Sequence, residues 1–112
     1  MDSILTSIKK LLGIAEEYDH FDADLIMHIN SVFMILTQMG VGPKEGFVIT
    51  GPYEVWTSFL PETGPKLEAV KSYVYLKTRL LFDPPTASAV MDATKSMINE
   101  FEWRLVHGVE TK

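Results

Sequence analysis

The chain has 112 residues, no cysteine, 46% hydrophobic and 22% charged residues, and a formal net charge of −5 with a pI near 5.1. This length and balance describe one globular domain with a modest core. The missing cysteines exclude a disulfide framework, Cys-ligated zinc and a thiol nucleophile. The acidic balance argues against nucleic-acid binding, which leaves a basic footprint; the longest basic cluster is Lys9-Lys10.

Met1-Asp2-Ser3 carries no basic start, and Lys9-Lys10 interrupts the first apolar stretch, so no signal peptide is expected. No apolar run reaches the roughly 20 residues of a membrane-crossing helix. A soluble chain without a membrane partner is the expectation.

In chain order, a short first helix is predicted from Ser3 to Leu12. Ser3 caps it, Ile4, Leu5, Ile8, Leu11 and Leu12 form its apolar face, and Gly13 ends it. A polar connector, Ile14 to Phe21, follows. Asp22 then serves as the cap of a second helix, with Asp24 in the first turn. Leu25, Ile29, Val32, Leu36 and Met39 step by four and three, the spacing of one helical face. Ile26, Met27, Phe33, Met34 and Ile35 widen that face nearly all round. A domain of this size has little interior in which to enclose such a helix, so a partner subunit is expected on it.

Gly40 stops the second helix and opens a loop to Pro52, within which Phe47-Val48-Ile49-Thr50 reads as a short extended piece. Long loops in compact domains are often functional. A short helix is predicted from Pro52 to Leu60, with Val55, Trp56, Phe59 and Leu60 on one face. A third main helix runs from Pro65 to Phe82. Ala69, Tyr73, Leu76 and Leu80 form one stripe, and Leu67, Val70, Val74 and Leu81 another. Asp83-Pro84-Pro85 breaks it. A fourth, with Thr86 or Ser88 as its cap, runs from about Thr86 to Val106 on Met91, Thr94, Ile98, Phe101 and Leu105, with a Glu100–Arg104 pair four residues apart. Residues 106–112 are expected to form a loose tail. The fold class is therefore all-α: one domain over 1–112, with three main helices, a short N-terminal helix, an extra helical turn and a long central loop.

No constellation for catalysis or metal binding emerges. Counted from Asp19, an EF-hand would need Gly and Glu where Asp24 and Asn30 stand; counted from Asp22, it meets Met27 and Phe33. His20, His28 and His107 have no spacing that places two ligands on one helical face. Neither a nucleophile elbow nor a phosphate-binding glycine loop is present. Tyr73 and Tyr75 between Lys71 and Lys77 suggest a stacking surface for nucleic acid, but Tyr73 belongs to an apolar stripe and reads better as packing. The methionines of the second helix, Met27, Met34 and Met39, suit core packing or an adaptable subunit interface.

Several segments, in this order, resemble one family. They are Leu11-Leu12-Gly13-Ile14, the acidic turn before Ile29-Asn30-Ser31, Gln38-Met39-Gly40-Val41, and Trp56 to Leu60. The most specific is the run from Val70 through Tyr73, Tyr75, Lys77 and Arg79 to Pro85, followed by Glu100, Glu102, Trp103 and Arg104. Together they look like the head–tail connector (adaptor, or head-completion) proteins of long-tailed phages, over almost the whole chain. The resemblance implies a non-enzymatic virion protein without a cofactor, assembled in the bacterial host cytoplasm. Copies would join head-to-tail into a ring of about twelve beneath the portal protein, a heterologous interface that closes. The ring would extend the DNA channel, pass DNA without reading its sequence, and seat the next connector or a tail-completion protein.

Candidate interface residues on this reading are Phe33 and Met34 of the second helix; Phe47, Val48 and Ile49 of the loop; Arg79 and Asp83; and Val106, His107 and Val109 near the C-terminus. The runner-up is a small helical interaction or regulatory domain of phage or bacterial origin. An enzyme lacks an acid–base or metal constellation, and a DNA-reading helix lacks the polar side chains for base edges.

Overall fold

The computed structural model describes residues 2–108. It contains five helices: α1 (Ile4–Leu12), α2 (Asp22–Gln38), α3 (Trp56–Phe59), α4 (Pro65–Phe82) and α5 (Ser88–Gly108). Among the described residues there is no strand, only an isolated bridge between Ser3 and Val55. The all-α expectation therefore holds.

α4 is the shared neighbour of α2 and α5, and α1 lies against α2 and α4. Both neighbours run antiparallel to α4. At one end, Phe82 of α4 meets Phe21 at 5.3 Å between ring centroids and His28 at 6.5 Å. Further along, the Tyr73 hydroxyl donates to the Glu102 carboxylate at 2.7 Å. The molecule is a slab of 40 × 35 × 22 Å, about two helices thick at the usual interaxial spacing.

Each helix start and stop has a local cause. Ser3 accepts from Thr6 N–H at 3.0 Å, capping α1 as expected. α2 ends in a left-handed Gly40, φ +84°: Gly40 N–H reaches Thr37 O and Val41 N–H reaches Leu36 O, while Val41 buries its side chain beside the last turn. Pro65 opens α4, where its missing N–H costs nothing. Glu100 and Arg104 pair as predicted, the Nε–carboxylate distance being 2.9 Å.

The core is made by Ile4, Leu5 and Ile8 of α1, Leu25, Ile29, Val32 and Leu36 of α2, and Leu67, Val70, Tyr73 and Val74 of α4, with Ile98 and Leu105 of α5. Tyr73 is fully buried, which supports packing over stacking on nucleic acid. Its burial and the Glu102 carboxylate both hold the phenol proton, pushing the pKa far above its ordinary value.

Three expectations are corrected. Asp22 is the first helical residue rather than the cap; Phe21 precedes it and offers no capping side chain. The Asp22 carboxylate turns instead to Lys9. The short helix shrinks from Pro52–Leu60 to Trp56–Phe59, because Thr50 and Glu54 tie a turn and Val55 pairs in extended form with Ser3. The last helix starts at Ser88 and continues through Gly108, so Val106 and His107 are helical and not part of a loose tail; Val109 lies outside the described residues.

Lys9 is the least expected member of the interior. It is 2% exposed. Its Nζ donates to Glu16 O at 2.9 Å and lies 2.9 Å from Asp22 Oδ1. One ammonium thus joins the end of α1, the connector and the start of α2. Lys9→Ala leaves a carbonyl and a half-buried carboxylate without this donor, a loss of about 1–3 kcal/mol. Lys9→Met keeps the apolar stem, so it should fall between Ala and the natural chain in chemical denaturation. A wild-type midpoint for Lys9→Ala would show that the ion pair holds nothing.

Candidate functional site

The inner side of α2 is spent on the core, and its outer side is not. Met27 and Met34 are 59% and 58% exposed. They stand one heptad apart, on the side of the helix away from Leu25, Ile29, Val32 and Leu36. Beside them runs the loop from Gly40 to Pro52. Between helix and loop lies an open groove of about 780 Å³, lined by Met27, Asn30, Ser31, Met34, Thr37 and Gln38 of α2 and by Glu45, Gly46, Phe47 and Val48 of the loop. Val48 is 60% exposed.

The loop is fixed from beneath by aromatic packing. Phe33 is fully buried and meets Phe47 at 5.1 Å, Phe59 at 4.7 Å and Trp56 at 6.3 Å between centroids. Phe47 closes the cluster on Phe59 at 5.3 Å. These tilted and edge-on arrangements are the favoured ones for aromatic pairs. Trp56 satisfies its indole N–H on Ser7 Oγ at 2.9 Å, which ties α3 to α1. The loop passes over Phe59 at Gly42, φ +87°, where any Cβ would collide with the ring.

Two polar clamps complete the fixation. Asn30 donates from Nδ2 to Ile49 O at 3.0 Å and accepts at Oδ1 from Ile49 N–H at 2.8 Å. This side chain does for one loop residue what a neighbouring strand would do. Glu54 accepts from Thr50 N–H and from Thr50 Oγ1 at 2.8 Å. Burial alone would raise the Glu54 carboxyl. Hydrogen bonds from the Thr50 side chain and from the main-chain N–H groups of Thr50, Glu54 and Gly51 outweigh it and hold the pKa below the ordinary range.

The residues singled out from sequence fall in three places. Met34, Phe47 and Val48 meet in the groove. Phe33 and Ile49, 0% and 2% exposed, have no surface to offer a partner; they lie beneath the groove and shape it. This corrects their placement as interface residues, since a buried ring cannot touch another chain. Arg79 and Asp83 lie at the end of α4. There Arg79 Nε approaches the Asp83 main-chain carbonyl at 3.4 Å, and no ion pair joins the two side chains. Val106 is 38% exposed near the end of α5, and the His107 ring lies tilted against Trp103, 4.6 Å between centroids. The groove contains none of these last four.

Sequence reading missed Asn30 and Glu45 as groove residues, and named Met27 only among the methionines suited to core packing or a subunit interface. Asn30 left a signal: a polar side chain set among the apolar positions of α2. The two most specific resembling segments do meet in space, through Tyr73 and Glu102. Among the described residues no group of three or more His, Asp or Glu side chains converges as a metal site, and no helix is long and apolar enough to cross a membrane.

Asn30→Ala removes both partners of the Ile49 main chain. It should cost about 1–2 kcal/mol, since the freed groups are only partly buried. Hydrogen exchange locates the effect: the Ile49 amide should speed up while mid-α4 amides do not. Unchanged exchange at Ile49 would show that the loop is held without the clamp.

Neither curated proteins nor solved structures gave a match to this chain. The family model described as phage connector protein matches residues 4–112. That span takes in all five helices, the aromatic cluster and the groove, and with it the chain belongs to the phage connector protein family.

Proposed function

We propose that this chain is a structural subunit of the virion that forms a ring between the portal and the tail, extends the DNA channel, and provides the platform for the next connector or a tail-completion protein. The subunit needs no cofactor and performs no catalysis; its work is done by surfaces. It is assembled in the bacterial cytoplasm, and its copies, about twelve, close into a ring through a heterologous contact.

One observation carries this reading beyond family membership: the groove on the outer face of α2. Met27, Met34 and Val48 leave large apolar side chains in water on a chain of only 112 residues. Contiguous apolar surface of this kind marks a partner site. Methionine adapts its shape to a facing surface. The groove walls are rigid, because Asn30 and the aromatic cluster fix the loop before any partner arrives. A pre-formed wall lowers the ordering entropy that association must offset. The net charge of −5 also suits a wall along which DNA slides, since neutralising phosphates requires Lys and Arg. The exposed ends of α4 and α5, with Arg79, Asp83, Val106 and His107, supply further surface for the portal or the tail.

Cryo-electron microscopy of the purified chain mixed with its cognate portal tests the proposal. The expected image is a ring of this chain on the narrow end of the portal, coaxial with the channel. No complex at concentrations well above micromolar would overturn the portal-adaptor reading and favour a small interaction domain instead.

A further inference from the structure

We infer that within the ring the groove on α2 of one copy receives the exposed face of α5 of the next copy, with the two helices parallel. The inference rests on the ring reading and adds which surfaces meet.

Orientation comes first. α2 and α5 are both neighbours of α4 and both run antiparallel to it, so they run parallel to each other on the two flanks of the slab. Copies placed side by side with a modest rotation keep that direction. The α5 of one copy then approaches the α2 of its neighbour as a parallel helix.

Spacing comes second. On α2 the exposed apolar pair is Met27 and Met34; on α5 it is Val90 and Met97, 49% and 51% exposed. Both pairs are separated by seven residues, two helical turns or about 10.5 Å. Met27 can face Val90 while Met34 faces Met97.

Charge comes third. One further step of seven along α5 brings Arg104, whose side chain is 65% exposed. The same step along α2 passes the helix end at Gln38 and reaches the rim of the groove. Ile49 is clamped to Asn30, so Glu45, four residues earlier in the loop, lies toward Gln38 at this rim. Glu45 is exposed and has no ion-pair partner among the described residues. Among the described residues Arg104 pairs with Glu100 on its own helix, an exposed pair of little worth that can give way to a new carboxylate. In the parallel register an acidic rim meets a basic side chain. In the antiparallel register Arg104 would lie beyond the start of α2, where Asp22 and Asp24 also offer carboxylates, so it is the parallel run of α2 and α5 in the fold, and not charge, that sets the register. The two patches differ, so the contact cannot close as a two-fold dimer and propagates from copy to copy.

This chain has no cysteine of its own to compete with introduced thiols. Met34→Cys and Met97→Cys variants, mixed on the cognate portal and oxidised, should give a cross-linked dimer containing one of each. The double variant in one chain should give a ladder of oligomers. Rings that form without the 34–97 cross-link would overturn this inference and leave the ring intact. Self-cross-linking of Met34→Cys alone would overturn it too, by showing an α2–α2 contact. If no ring forms with the wild-type chain, the ring reading fails first and takes the inference with it. As a second measurement, Arg104→Glu should lose ring assembly, and adding Glu45→Lys to the same chain should restore it. Both sites are exposed, so circular dichroism should match wild type; a double variant as defective as the single one contradicts the pairing.

Discussion

A helix with apolar side chains on both sides can give only one of them to a slab two helices thick. α2 is such a helix. Leu25, Ile29, Val32 and Leu36 are all fully buried in the core, where each large aliphatic side chain contributes roughly 1.5–3 kcal/mol. That fixes the rotation of the helix. Met27 and Met34 are then forced outward, because residues two positions from a core residue point about 200° away from it on a 3.6-residue helix. The exposed face is thus a consequence of the core, not an accident of the surface.

The rest of the molecule holds α2 in place and builds on its outer side. Lys9 ties the start of α2 to the end of α1 and to the connector. Gly40 turns the chain back along the helix instead of away from it. Phe33, the one aromatic of α2, sits between core face and outer face and gathers Phe47, Phe59 and Trp56 around it. Asn30 then sets the distance between loop and helix through Ile49. Core, loop and groove therefore form one connected construction, and a change in Phe33 would be felt on the surface without itself being exposed.

Much of this was legible in the residues. The three-and-four spacing in α2, α4 and α5, the Ser3 cap, the glycine stops and the break at Asp83-Pro84-Pro85 all reflect local physics, and the helices lie where that physics puts them. The surplus of apolar side chains on α2 was readable too. What could not be read depends on non-local contacts. Nothing near Lys9 in sequence reveals that its ammonium will be buried against Asp22, thirteen residues away. Phe33 and Met34 are adjacent and equally apolar; only the direction of α4 decides that one is core and the other surface. Ile49 looks like its neighbour Val48, yet Asn30 turns Ile49 in and leaves Val48 out. Within the proposed interface, then, composition named the region and packing chose the side chains.

If the connector makes its contacts through the outer face of α2, that face is covered in the assembled particle. Oxidative footprinting of methionine measures this directly, because exposed thioethers convert to sulfoxides faster than sheltered ones. In the free chain Met27 and Met34 should oxidise readily, ahead of the half-buried Met39 and Met91. In purified virions treated alike, Met27 and Met34 should be strongly protected, by more than Met39 and Met91 are. Equal oxidation of Met27 and Met34 in the free chain and in the particle would rule this out, because a face left in water after assembly is not where the connector makes its contacts.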